Sequence, residues 1–113
     1  MTGEPMKALL GILGIARRAR VLLIGQDIVK SSLARGDSLL ILFAGDKASS
    51  FFRSLGKGRY AEKCSVHVLS GISADDLSAA LGMGNVQVAA LPLRSGFARK
   101  VVQLLAEGGE KIE

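Results

Sequence analysis

Residues 21–46 read VLLIGQDIVKSSLARGDSLLILFAGD: an apolar run, a glycine, a helical stretch, a second glycine and a longer apolar run. The first run, residues 21–24, is branched and apolar and predicts a short strand. Gly25 breaks it, and Asp27 opens a helix as its cap or as a first-turn acid at the positive end of the helix dipole. That helix carries Ile28, Val29, Ser32 and Leu33, and Gly36 is a natural C-terminal stop. Residues 38–44 (SLLILFA) show no polar alternation, the pattern of a central strand covered on both faces.

The flanking chain continues the alternation. Leu9, Ile12, Leu13 and Ala16 recur at i, i+3, i+4, i+7 and predict an amphipathic helix ending in Arg17, Arg18 and Arg20. Asp46 begins a basic helical segment that Gly56 and Gly58 interrupt. Residues 64–69 alternate with β-branched side chains and predict a third strand. Ser73 and Asp76 form the S-x-x-D start of a helix containing Leu77, Ala80 and Leu81, and Gly82 and Gly84 end it. Residues 86–91 predict a fourth strand, and Phe97, Val101, Leu104 and Leu105 a closing helix. This order implies one α/β domain over residues 1–113, with helices on both faces of a short, largely parallel sheet.

Composition narrows the function. With 113 residues, 49% hydrophobic, the chain can fill a single core and escapes the signature of disorder. One cysteine, Cys64, excludes an internal disulfide and a Cys-only zinc site. The 15 basic and 10 acidic residues leave a net +5. Lys7, Arg17, Arg18, Arg20, Lys30 and Arg35 crowd the first third, and Lys47, Arg53, Lys57, Arg59 and Lys63 a second segment. The acids gather at Asp75 and Asp76 and at Glu107, Glu110 and Glu113. Such a domain points to a polyanion (RNA, DNA or an anionic membrane), although solubility alone also accounts for the charge. The apolar run 8–16 is too short to span a bilayer and lacks the basic leader of a signal peptide, which predicts a cytoplasmic protein.

No enzyme chemistry assembles. Cys64 and His67 are two ligands where a structural zinc site needs four, and at i, i+3 on a strand they point to opposite faces. Gly56–Lys57–Gly58 lacks the upstream glycine of a phosphate-binding loop, since Phe51 holds that place. Gly82–Met83–Gly84 follows a helix rather than opening one, so it is no dinucleotide fingerprint. Asp46 sits where phospho-acceptor domains keep a carboxylate, but a helix cap describes it better. The single histidine has no nucleophile beside it. The expectation is a protein without catalysis, cofactor or metal. What remains is the turn from Gly25 through Gln26, Asp27 and Lys30 to Ser31, with Arg18 and Arg20 before it. A glycine-led helix start offers N–H donors and a positive dipole end to phosphates or base edges. Read purely structurally, it is a strand-to-helix turn with a cap.

Three stretches, LLGILGIARRARVLLIGQDIVKSSLARG (9–36), SLLILFAGD (38–46) and VAALPLRSGFARKVVQLL (88–105), resemble a known superfamily. These are the kink-turn RNA-binding ribosomal proteins of the L-seven-Ae, L-thirty-e and Gadd-forty-five group, and the small bacterial L-seven-Ae-like proteins in particular. The first stretch is similar to their L-G-x-A-R-R-A-G-K-L-x-x-G lead-in, the last to their A-V-x-D-x-G-F-A-x-K-L ending. The resemblance implies a three-layer α/β/α sandwich around a four-stranded mixed sheet. It implies non-catalytic binding of structured RNA, kink-turn or ribosomal, by a monomer, with the ribosome as a further candidate partner. It places the family's Gly-x-Asn-Glu-x-x-Lys element on Gly25, Asp27, Ile28 and Ser31, and its apolar loop on Leu91, Pro92, Leu93 and Arg94. The acidic Gadd-like branch supplies the alternative, a protein-interaction module on the same fold.

Overall fold

The computed structural model describes residues 3–45, 64–69 and 72–107. Along the chain run α1 (Gly3–Arg18), β1 (Leu23–Ile24), α2 (Gln26–Ala34), β2 (Leu39–Ala44), β3 (Cys64–Leu69), α3 (Ala74–Leu81), β4 (Val88–Pro92) and α4 (Gly96–Glu107). The basic helical segment expected from Asp46 onward, with Gly56 and Gly58, lies outside the described residues.

All six residues of β2 are buried, as its unbroken apolar run predicts, because β2 pairs on both sides and is covered on both faces. Successive side chains of a strand alternate between faces, and that alternation sorts the core into two halves. Leu40, Leu42 and Ala44 join Leu9, Leu13 and Ala16 of α1, Leu77 and Leu81 of α3, and Val101 and Leu105 of α4. Leu39, Ile41 and Phe43 join Val29 and Leu33 of α2 with Val88 and Ala90 of β4. The result is a three-layer α/β/α sandwich.

The strand order is β1-β4-β2-β3. β2 and β3 pair in parallel, while β4 runs antiparallel to both β1 and β2. Three strands therefore share one direction, but β4 lies reversed between two of them, so most neighbour pairings are antiparallel. The sheet is mixed, as the resemblance implies, rather than largely parallel, as the alternation of elements suggests. An apolar run carries no mark of its direction, and only the path out of α3 sets that of β4.

Local signals set the helix ends. Ser73 Oγ accepts from the Asp76 N–H at 3.0 Å and Asp76 Oδ2 accepts from the Ser73 N–H at 3.1 Å, a complete capping box. Gly36 takes φ 93° just past α2, with the Asp37 N–H donating back to Ser32 O at 3.2 Å. α1 closes the same way, but on Arg20 at φ 62°. The Arg20 N–H donates to Arg17 O (3.0 Å), and Val21 and Leu22 N–H both donate to Ala16 O (3.0 and 3.3 Å). Those bonds consume Val21 and Leu22, so β1 keeps two residues of the expected four. Likewise the Val86 N–H donates to Ser78 Oγ at 2.8 Å, and β4 begins at Val88.

Candidate nucleic-acid interface

Gly25 joins β1 to α2. Its N–H donates to Val88 O and its carbonyl accepts from the Val29 N–H, each at 3.1 Å, so one residue ends the sheet ladder and starts the helix. A Cβ added there meets nothing within 4 Å, so space is not the constraint; the backbone at φ 100°, ψ 148° is. No side chain caps α2. Asp27 is a first-turn acid, and of the two roles its position allowed it takes this one rather than the cap. Val29 turns into the core, leaving Gln26, Asp27 and Ile28 exposed around a shallow depression that Ile24 and Gly25 complete. Ile28 is 52% exposed. Lys30 and Ser31 lie exposed one turn further along the helix.

The other residues expected at this interface are elsewhere. β1 enters the sheet opposite Ala90 and leaves opposite Ala89, so the chain before β1 lies toward the far end of β4. Arg18 and Arg20 therefore stand at the end of the sheet where β4 finishes, together with Pro92, Leu93 and Arg94. Leu91 pairs with Leu40 in mid-sheet and is fully buried, so it offers no surface to a ligand. Pro92 is half-buried, and Leu93 and Arg94 are exposed. What adjoins Gly25 instead is Val88, reached through the turn 82–87, where Gly82 (φ 67°) and Asn85 (φ 58°) are left-handed and Met83 is 41% exposed. In the sequence this turn reads only as a helix stop, because placing it beside Gly25 requires the direction of β4.

Between the C-terminal end of α2 and the β4–α4 connection lies a groove bordered by Arg35, Asp37, Ser38, Pro92 and Arg94. Buried Ser32 donates its hydroxyl to Asp37 Oδ2 at 2.6 Å, and Arg35 Nη2 stands 3.4 Å from the same oxygen. The Ser32 hydrogen bond, then Arg35 and Arg94, hold the Asp37 carboxyl below its usual 3.8. On β3, burial pushes the half-buried Cys64 thiol up and the His67 imidazole down. Contrary to the expectation that the histidine has no nucleophile beside it, Ser65 Oγ lies 3.0 Å from His67 Nε2, because residues two apart on a strand share a face, the one opposite Cys64. Among the described residues no three His, Cys, Asp or Glu side chains group to hold a metal, and no helix is long and apolar enough to cross a membrane.

No family model and no curated protein matches the chain. Among solved structures, a protein of unknown function from Bacillus halodurans superposes with a TM-score of 0.73 at 26% identity, over 87% of this chain and 96% of that one. A second is the 15.5kD RNA binding protein of Giardia lamblia, with a TM-score of 0.65 at 16% identity, over 96% of this chain and 91% of that one. The fold is shared with an RNA-binding protein.

Proposed function

We propose that this protein is a cytoplasmic, monomeric, non-catalytic binder of structured RNA, with kink-turn or ribosomal RNA as its first candidate targets and the ribosome as a candidate setting. The observation that carries the reading is the uncapped, glycine-led start of α2, which leaves Gln26, Asp27 and Ile28 exposed at a positive helix end. Gln26 can donate to and accept from a base edge, and Asp27 can accept from a guanine amino or imino group. A net charge of +5 supplies the long-range attraction to phosphate. The fold held in common with an RNA-binding protein supports the same reading. Exposed Ile28 favours a second reading, in which this end of the sheet docks a protein through an apolar contact.

Mobility shifts against a kink-turn RNA, the same RNA with its G·A pairs mutated, and a plain duplex decide between them. Tighter binding of the intact kink-turn is expected. Binding to none of the three at low salt refutes RNA binding and favours the protein-docking reading.

A further inference from the structure

The charge of the described residues gathers at the end of the sheet away from the α2 N-terminus. α1 finishes there with Arg17 and Arg18, and Arg20 follows at the level where β1 enters. α2 also finishes there, at Arg35, and β4 leaves there through Arg94 into α4, whose first turns carry Arg99 and Lys100. Asp37 is the one carboxylate that the described structure places among them, and Ser32 and Arg35 already engage it.

Some of these cations have a purely structural account. Arg17, Arg18 and Arg35 sit at helix C-termini, where the dipole favours positive charge. Arg94 and Arg99 do not, and Arg20, although the same dipole suits its charge, has a backbone that suits glycine instead. Arg20 occupies the left-handed position just after a helix, φ 62°, where glycine is the unstrained choice. Arg94 directly precedes Ser95 and Arg99 lies one turn after it; Ser95 Oγ accepts from the Ala98 N–H at 3.1 Å and caps the start of α4. That is the positive end of the helix dipole, and the first turn of α4 holds no acid. The start of α3 shows the opposite arrangement, with Asp75 and Asp76 in its first turn. Three cations thus stand against local preference at one end of one sheet, on neighbouring elements. A local rule broken repeatedly in one place marks a charge kept for a ligand.

We propose that this arginine-bearing end, with Arg94 on the Asp37 groove, Arg20 ahead of β1 and Arg99 in α4, is a second nucleic-acid contact that grips the phosphate backbone of RNA, separate from the start of α2. The proposal rests on the RNA-binding reading and adds where the electrostatic grip lies. Adjacent strands are about 4.8 Å apart, so the chain ahead of β1 and the chain after β4 meet the sheet side by side, and α4 starts two residues after Arg94; the cations are spread over three segments rather than drawn into one pocket. A spread of charge like this suits a chain of phosphates better than one small anion. It carries no base specificity, which leaves discrimination to the other end of the sheet.

The test compares the wild-type chain with the triple variant Arg20→Gly, Arg94→Gln, Arg99→Gln and with Gln26→Ala, Ile28→Ala, by anisotropy on a plain duplex and a kink-turn RNA from about 50 to 200 mM salt. Loss of three phosphate contacts lowers the salt slope by about 2 to 3 and weakens both RNAs alike by at least about tenfold at the lower salt. The Gln26, Ile28 variant keeps the wild-type salt slope. Arg20→Gly alone removes one cation while relieving a left-handed residue, so its melting temperature does not fall, and reduced RNA affinity in that variant cannot come from unfolding. Wild-type affinity and slope in the triple variant overturn the proposal while leaving RNA binding standing. Failure of the wild-type chain to bind either RNA overturns both. Binding of anionic phosphatidylserine vesicles without RNA binding overturns the choice of polyanion.

Discussion

Replacing Asp27, Ile28 and Ser31 by Asn, Glu and Lys gives α2 the residue types that the resembled family carries at these positions. All three side chains are exposed, so the fold should tolerate the change. Asp27→Asn gives up a first-turn charge worth about 0.3–1 kcal/mol, and Ile28→Glu returns a charge of the same sign one residue along. Full burial of an isoleucine contributes about 1.5–3 kcal/mol, and Ile28 is 52% exposed, so uncovering the rest costs about 1 kcal/mol. Ser31→Lys adds a better helix former. The net loss is about 1 kcal/mol or less, a melting shift of about 4 °C or less for a domain of 113 residues.

Against that, one good polar contact to a base is worth about 1–3 kcal/mol, so one productive substitution strengthens kink-turn binding about fivefold to a hundredfold. Titration of both proteins against a kink-turn and a control lacking the sheared G·A pairs reads the gain, with a thermal melt alongside. The expected result is tighter binding of the kink-turn and little change on the control. Equal affinities of both proteins for both RNAs remove the start of α2 as a kink-turn site. Destabilisation by several kcal/mol refutes the surface position of Ile28.

Other outcomes test the packing and the charges. Leu40→Ala opens a cavity in the central strand and lowers stability by about 2–5 kcal/mol in denaturant titration, because Leu40 is fully buried between β3 and β4. Ser73→Ala breaks the capping box and costs about 0.5–2 kcal/mol by the same measurement, with the sheet intact. His67, whose folded value lies below its ordinary 6.5, binds its proton more readily when unfolded, so stability falls as pH drops below about 6.5. His67→Gln should flatten that part of the pH profile; an unchanged slope assigns it to other groups.

The local features of this fold are written in short stretches of sequence. The unbroken run of β2 announced burial on both faces, Gly25 and Gly36 marked the two ends of α2, and Ser73 with Asp76 spelled out a capping box that formed as read. Each depends on residues within a turn or two, where propensity, side-chain polarity and backbone freedom act directly. The wrapping of Val21 and Leu22 onto Ala16 was hidden, because an apolar pair ahead of a glycine reads equally well as strand or as helix closure. The candidate interface is half legible for a related reason. Gly25, Gln26 and Asp27 are neighbours in the chain and stayed together. The resemblance groups Leu91, Pro92, Leu93 and Arg94 with them, yet these residues belong to the other end of the sheet, with Leu91 inside the core. Only tertiary structure settles which end of a strand meets which helix, because side chains mark which residues a strand buries but not which way it runs. β4 runs against its neighbours because of how the chain leaves α3, and that one reversal brings the turn 82–87 toward Gly25 and gathers Arg20, Arg94 and Arg99 at the opposite end.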